Sequence, residues 1–180
     1  MNNGMISSRY ATALLAFAAE RKLEKHFYEM ANQFTRSAME QPRLKTALES
    51  PVLDGQQKKQ LILSASGVKN DENLGKFVQL IVDNNRAAFM HFIMLKYMDL
   101  YREKNQIFSG KLITAAPIDA QTEKRLISVI ERRKNGTLEV HKEINTALLG
   151  GFILEVDNTR WDASVQSQLR KIRNELITKK

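Results

Sequence analysis

The chain has 180 residues, 43% of them hydrophobic and 27% charged, and no run approaches the roughly 18 apolar residues that a membrane-spanning helix needs. The absence of cysteine excludes disulfides, thiolate nucleophiles and Cys-ligated zinc. The net charge of +8 is divided evenly, with four excess cations in residues 1–105 and four in 106–180, so no basic tail or block is concentrated for nucleic acid.

The opening "MNNGMISSRY" has neither a basic segment followed by an apolar core nor an Arg-rich amphipathic pattern, so no secretory signal or transit peptide is expected. Ser7 or Ser8 is the expected cap of a first helix through "RYATALLAFAAER". On it, Tyr10, Ala13, Leu14 and Phe17 form one apolar stripe, and Ala11, Leu15 and Ala18 a second. A helix apolar on nearly all sides is either central to a bundle or shared between the core and a partner. In "KLEKHFYEMANQFTRSAM", Leu23, Phe27, Met30, Phe34 and Ala38 recur at helical spacing.

Pro42 opens a short turn that ends before Pro51, because the residue preceding a proline is pushed out of helical geometry. Asp54 caps "GQQKKQLILSAS", which Gly67 stops, and Asp71 caps "ENLGKFVQLIVDN", with Leu74, Phe77, Val78 and Ile81 on one face. "DNNR", from Asp83 to Arg86, interrupts the pattern. A last long helix is read as turning Phe89, Phe92, Ile93, Tyr97 and Leu100 inward. Six helices with short connections predict a compact bundle over residues 1–105.

Beyond Lys104-Asn105 the pattern changes. "QIFSGKLITAAPI" is rich in β-formers, and "DAQTEKRLISVIERRK" begins with an Asp cap and repeats its apolar residues at helical spacing. The basic "ERRKNG" reads as the last turn of that helix, with Gly136 near its end. "TLEVHKEIN" and "GGFILEVDN" alternate as strands, and "DASVQSQLRKIRNELI" aligns Val165, Leu169, Ile172 and Leu176 on a closing helix. The prediction for residues 106–180 is a small α/β domain in the order β-α-β-β-α, joined without a flexible linker. The fold class is therefore mainly α with a small α/β part.

Little in the chain suggests chemistry. Gly150 and Gly151, the only glycine pair, lead directly into a strand, whereas a phosphate cradle needs a strand, a glycine loop and then a helix. The pair is read as permitting positive φ or close backbone packing at the strand entrance. His26, His91 and His141 lack ligand spacing, and no Ser sits in a G-x-S-x-G elbow. Asp157-Asn158 is read as a turn, Asp162 as the cap of the final helix, and Ser164 as helping to satisfy the same helix start. Trp161 is read as a packing residue. No catalytic residue, cofactor or metal site is predicted.

The order of these motifs resembles the delta subunit of bacterial ATP synthase, the family that includes the oligomycin-sensitivity-conferring protein of mitochondria. The resemblance covers essentially the whole chain. It is carried by "RYATALLAFA" (9–18), by "DNNRAAFMHFIMLKYMDLY" with Asn84 and Arg86, and by "LEVHKEINTALLGGFILEVDN" (138–158) followed by Asp162-Ala163-Ser164. Departures from the family pattern are Leu15 and Ala16 on the first helix and Glu155, where a basic residue is common.

The resemblance implies an N-terminal six-helix bundle on the catalytic head and a C-terminal α/β domain on the peripheral stalk, with no catalysis. The first and fifth helices of the family form a groove for the N-terminal helix of an alpha subunit. By position, Tyr10, Ala13, Leu14 and Phe17 are its candidates, with Leu80, Ile81, Asn84 and Arg86 nearby. The C-terminal domain is expected to bind the C-terminal ends of the b-subunit dimer. The resemblance further implies one copy per complex, at the cytoplasmic face of the bacterial inner membrane, reaching the membrane only through the complex. The competing reading is a basic, helical nucleic-acid-binding protein; a third, an enzyme on anionic substrates, rests only on net charge and the glycine pair.

Overall fold

A computed structural model describes residues 3–68, 71–157 and 159–178. The chain divides into two units, Met1–Arg102 and Glu103–Lys180. The first contains α1 (Asn3–Glu20), α2 (Glu24–Glu40), α3 (Arg43–Glu49), α4 (Gly55–Ala65), α5 (Glu72–Asp83), a short 3-10 turn at Ala87–Phe89, and α6 (Met90–Lys104), whose last residues run into the second unit.

The helix boundaries follow from local chemistry. Asp54 forms a capping box with Gln57: its carboxylate accepts from the Gln57 backbone N–H at 2.7 Å, and Gln57 Oε1 accepts from the Asp54 N–H at 3.1 Å. Asp71 caps α5 by accepting from the Leu74 N–H at 2.7 Å. The first helix departs from expectation, because α1 begins at Asn3 and carries Ser7 and Ser8 inside it. Ser7 is buried, and Ser7, Ala11, Leu14 and Ala18 form the inward stripe, so packing extends the helix a turn beyond the apparent caps.

The core of this unit is built from α2 (Phe27, Met30, Ala31, Phe34), α5 (Leu74, Phe77, Val78, Ile81) and α6 (Met90, Ile93, Met94, Tyr97, Met98). Each large aliphatic or aromatic side chain fully removed from water contributes about 1.5–3 kcal/mol. Tyr97 is fully buried and donates its phenolic hydrogen to the Glu24 carbonyl at 2.9 Å, joining α6 to the start of α2. Phe92 does not point inward as read from the sequence: it is exposed, and Met94 and Met98 fill the core. α6 has apolar residues on two adjacent stripes, so composition alone leaves its rotation open.

The second unit contains β1 (Ile107–Thr114), α7 (Ala120–Lys134), β2 (Thr137–Ile144), a 3-10 turn at Thr146–Leu148, β3 (Phe152–Val156), β4 (Thr159–Asp162) and α8 (Val165–Thr178). The sheet order is β2-β1-β3-β4, with β1 parallel to β2 and the other neighbours antiparallel. Leu112, Leu138, Leu154 and Val156 face Ile130 of α7, with Phe108, Ile127, Phe152 and Trp161 packed around them.

The predicted order β-α-β-β-α omits β4. "TRWD" is four residues long with one apolar side chain, so alternation leaves no signal in it. Pairing with β3, from Ile153 opposite Asp162 to Val156 opposite Thr159, makes it a strand. Asp157, at φ 51°, turns the chain towards it, while Asn158 lies outside the described residues.

Candidate partner-binding surfaces

On α1 the inward stripe leaves a second face. Tyr10 and Phe17 are half-buried and Ala13 is exposed, all three at helical spacing beside the core stripe. Leu14 is 1% exposed and belongs to the core. On α5 the same division appears: Ile81 is fully buried, whereas Leu80 is 52% exposed and Asn84 is exposed, its side-chain amide donating to the Leu80 carbonyl at 2.7 Å. Arg86 is half-buried, with its guanidinium 5.7 Å from the Phe89 ring centroid. Leu14 and Ile81 lie in the core, claimed by the inward stripes that hold the helices of this unit together.

A hydrogen bond between the end of α1 and the start of α5 lies outside these eight residues. Arg21, just past α1, donates through Nη1 to Asn73 Oδ1 at 3.0 Å in the first turn of α5, and the 3-10 turn after α5 packs on α1. Arg21 also sits 4.6 Å from the Phe17 ring centroid, and Phe17 stacks on Phe27 at 6.3 Å and 9°. Sequence reading missed Arg21, although its spacing of four residues from Phe17 was the available signal.

In the second unit the glycine pair and the Asp-Ala-Ser segment meet. Gly151 has φ +73°, and a β-carbon there would collide with the Ala163 carbonyl oxygen. The Ala163 N–H donates to the Phe152 carbonyl at 2.9 Å and the Val165 N–H to the Gly150 carbonyl at 3.1 Å. Ser164, not Asp162, occupies the cap position of α8: its Oγ accepts from the Ser167 N–H at 3.2 Å. Asp162, at the end of β4, accepts from the Ser164 hydroxyl at 2.6 Å and N–H at 3.0 Å and from the Ser167 hydroxyl at 2.8 Å. The Ser164 hydroxyl, then its N–H and Ser167, hold the Asp162 carboxyl down at about 2.

The sheet face away from α7 carries alternating charges. Lys111 lies opposite Glu155 and pairs with Glu143 at 2.6 Å, while Arg160 pairs with Glu155 at 3.4 Å. Glu143, by hydrogen bond and charge, and then Glu155 raise the Lys111 ammonium above its ordinary value. Glu155 therefore sits between two cations, Lys111 and Arg160.

Over α8 the apolar residues align as predicted but are not covered: Val165, Leu169, Ile172 and Leu176 are all exposed. No group of three or more metal-binding side chains occurs among the described residues, and none of the described helices is long and apolar enough to cross a membrane.

The family profile described as ATP synthase delta (OSCP) subunit matches residues 6–176. The chain belongs to that family. It is 38% identical over 177 residues to the ATP synthase subunit delta of Phocaeicola vulgatus, covering 98% of this chain and 96% of the relative. To the subunit delta of Bacteroides thetaiotaomicron it is 34% identical over 181 residues, covering 99% and 97%. A chain in the Toxoplasma gondii mitochondrial ATP synthase hexamer shares the fold, with a TM-score of 0.64 at 18% identity over 95% of this chain and 97% of that one. Family membership assigns this delta-family chain a stator role in ATP synthase and gives no support to the nucleic-acid reading.

Proposed function

We propose that this chain is a non-catalytic coupler that keeps the catalytic head from turning with the central shaft. Residues 1–105 form the six-helix bundle that grips the head, and residues 106–180 hold the C-terminal ends of the b-subunit dimer. One copy serves each complex at the cytoplasmic face of the bacterial inner membrane, touching the membrane only through its partners. No cofactor enters this task.

The supporting observation is α1, whose inward stripe is complete with Ser7, Ala11, Leu14 and Ala18 while Tyr10, Ala13 and Phe17 remain beside it. With Leu80 on α5 and Asn84 at its C-terminal end, they supply a seat, mainly apolar, for the N-terminal helix of an alpha subunit. Such a helix gains about 25 cal/mol for each Å² of apolar surface removed from water, before association costs. A contact under torque needs slow dissociation more than fast association.

The test is titration of the full chain with a peptide of the alpha-subunit N-terminal helix. Binding at about 1 μM or tighter, abolished by Ala13→Asp in a protein with unchanged thermal midpoint, supports this reading. Absence of binding at about 100 μM peptide refutes the head-binding assignment.

A further inference from the structure

We propose that Arg21 is a positioning residue for the seat between α1 and α5: it fixes Phe17 and the first turn of α5 in the arrangement that receives the partner helix. This deepens the reading of the seat given above and rests on it. Arg21 follows Phe17 by four residues and Tyr10 by eleven, about three helical turns, so it ends the stripe on which Tyr10, Ala13 and Phe17 lie. Asn73 precedes Leu80 by seven residues and Asn84 by eleven, so it begins the stripe on which those two lie. The bond from Arg21 Nη1 to Asn73 Oδ1, at 3.0 Å, therefore joins the two stripes at one end of the seat.

Both ends of this tie are held. α1 closes in a Schellman motif: Lys22 is left-handed at φ 58°, its N–H donates to the Ala19 carbonyl at 3.1 Å, and the Leu23 N–H donates to the Ala18 carbonyl at 2.9 Å. The backbone thus fixes where the Arg21 side chain starts. On the far side, Asp71 caps α5 and pairs with His26 of α2 at 2.7 Å. Between these points the guanidinium lies 4.6 Å from the Phe17 ring centroid, so Arg21 and Phe27 together hold one ring.

The opposite end of α5 has a different restraint, because α1 packs on the 3-10 turn that follows it. At the Phe17 end, Arg21 touches both a seat residue and α5. An exposed hydrogen bond and an exposed cation–ring contact are each modest. Their effect on binding is to place the Phe17 ring and the start of α5 in advance, which leaves less to order when the partner helix arrives.

The experiment titrates the full chain with a synthetic peptide of the alpha-subunit N-terminal helix and follows the Phe17 ring protons by NMR before peptide is added. Arg21→Gln should weaken binding about tenfold and Asn73→Ala at least about threefold, each moving the Phe17 ring resonances in the free protein. The thermal midpoint should stay within a few degrees of wild type. Arg21→Lys keeps the charge but not the planar fork, and should bind as weakly as Arg21→Gln. The double variant Arg21→Gln with Asn73→Ala should lose no more than Arg21→Gln alone, because either change breaks the same tie.

Wild-type affinity in Arg21→Gln overturns the proposal and leaves the seat reading standing. Full binding by Arg21→Lys also overturns it, reducing the role of Arg21 to charge. Weak binding by Arg21→Gln, with affinity and Phe17 resonances at wild-type values in Asn73→Ala, overturns it in favour of direct contact between Arg21 and the peptide. If wild type itself does not bind at about 100 μM peptide, the seat reading falls and this proposal falls with it.

Discussion

Gly151 lies so close to Ala163 that a β-carbon on the glycine would collide with the Ala163 carbonyl oxygen. Two segments twelve residues apart are thereby fixed as one joint between β3 and the start of α8. Gly151→Ala should cost about 2–3 kcal/mol, from the left-handed φ and from displaced backbone. Gly150→Ala meets only the Val165 side chain at 2.9 Å and should cost about 1 kcal/mol, because a side chain can shift. Urea denaturation of both variants, read from a probe in the second unit, checks the ranking; equal losses would refute the backbone account.

Asp162 gives a pH prediction of definite sign. Its folded value of about 2 lies below the about 3.9 of an unfolded aspartate, so its contribution is present above about pH 4 and lost as pH falls through about 2. Asp162→Asn should remove that part of the acid dependence. NMR titration of the side-chain carboxyl is the direct measurement, and an ordinary aspartate midpoint would show that the Ser164 and Ser167 contacts do not hold in solution.

Leu14 and Ala13 are neighbours with opposite expected effects. Leu14→Ala, at a site 1% exposed, should destabilise the bundle by about 2–5 kcal/mol, and Leu14→Asp should prevent its folding. Ala13→Asp, on the exposed face, should leave the thermal midpoint within a few degrees. Calorimetry of the two variants checks the burial division; a stable Leu14→Asp protein would contradict it.

His91 predicts acid sensitivity near neutrality. Burial first, and then the Lys45 charge, push its imidazole below the ordinary value, and its Nδ1 is buried without a hydrogen-bond partner among the described residues. Phe34, Ala38, Leu44, Leu48 and Ala88 line the same small chamber. The unfolded chain takes up this proton more readily, so the stabilisation is present above about pH 6.5 and declines as pH falls. His91→Gln should flatten the thermal midpoint between about pH 7.5 and 5.5 relative to wild type. An identical slope in the variant would exclude His91 as its source.

The sequence by itself determined the order of nearly all the elements and several of their ends. Asp54, Asp71 and Asp119 cap the helices read from them, because a cap involves only a side chain and N–H groups two or three residues away. The glycine pair was legible as structural for the same local reason, since a strand follows it. Motif order supplied the family, while periodicity supplied amphipathic stripes without saying what each would meet.

Tertiary structure alone decided which stripes turned inward. Leu14 and Ile81 went to the core, Phe92 went to solvent, and Val165, Leu169, Ile172 and Leu176 stayed uncovered on α8. It made "TRWD" a strand by placing it beside β3, moved the α8 cap from Asp162 to Ser164, and brought Gly151 against Ala163. These outcomes depend on chain segments distant in sequence, whose packing and hydrogen-bond partners no local window contains.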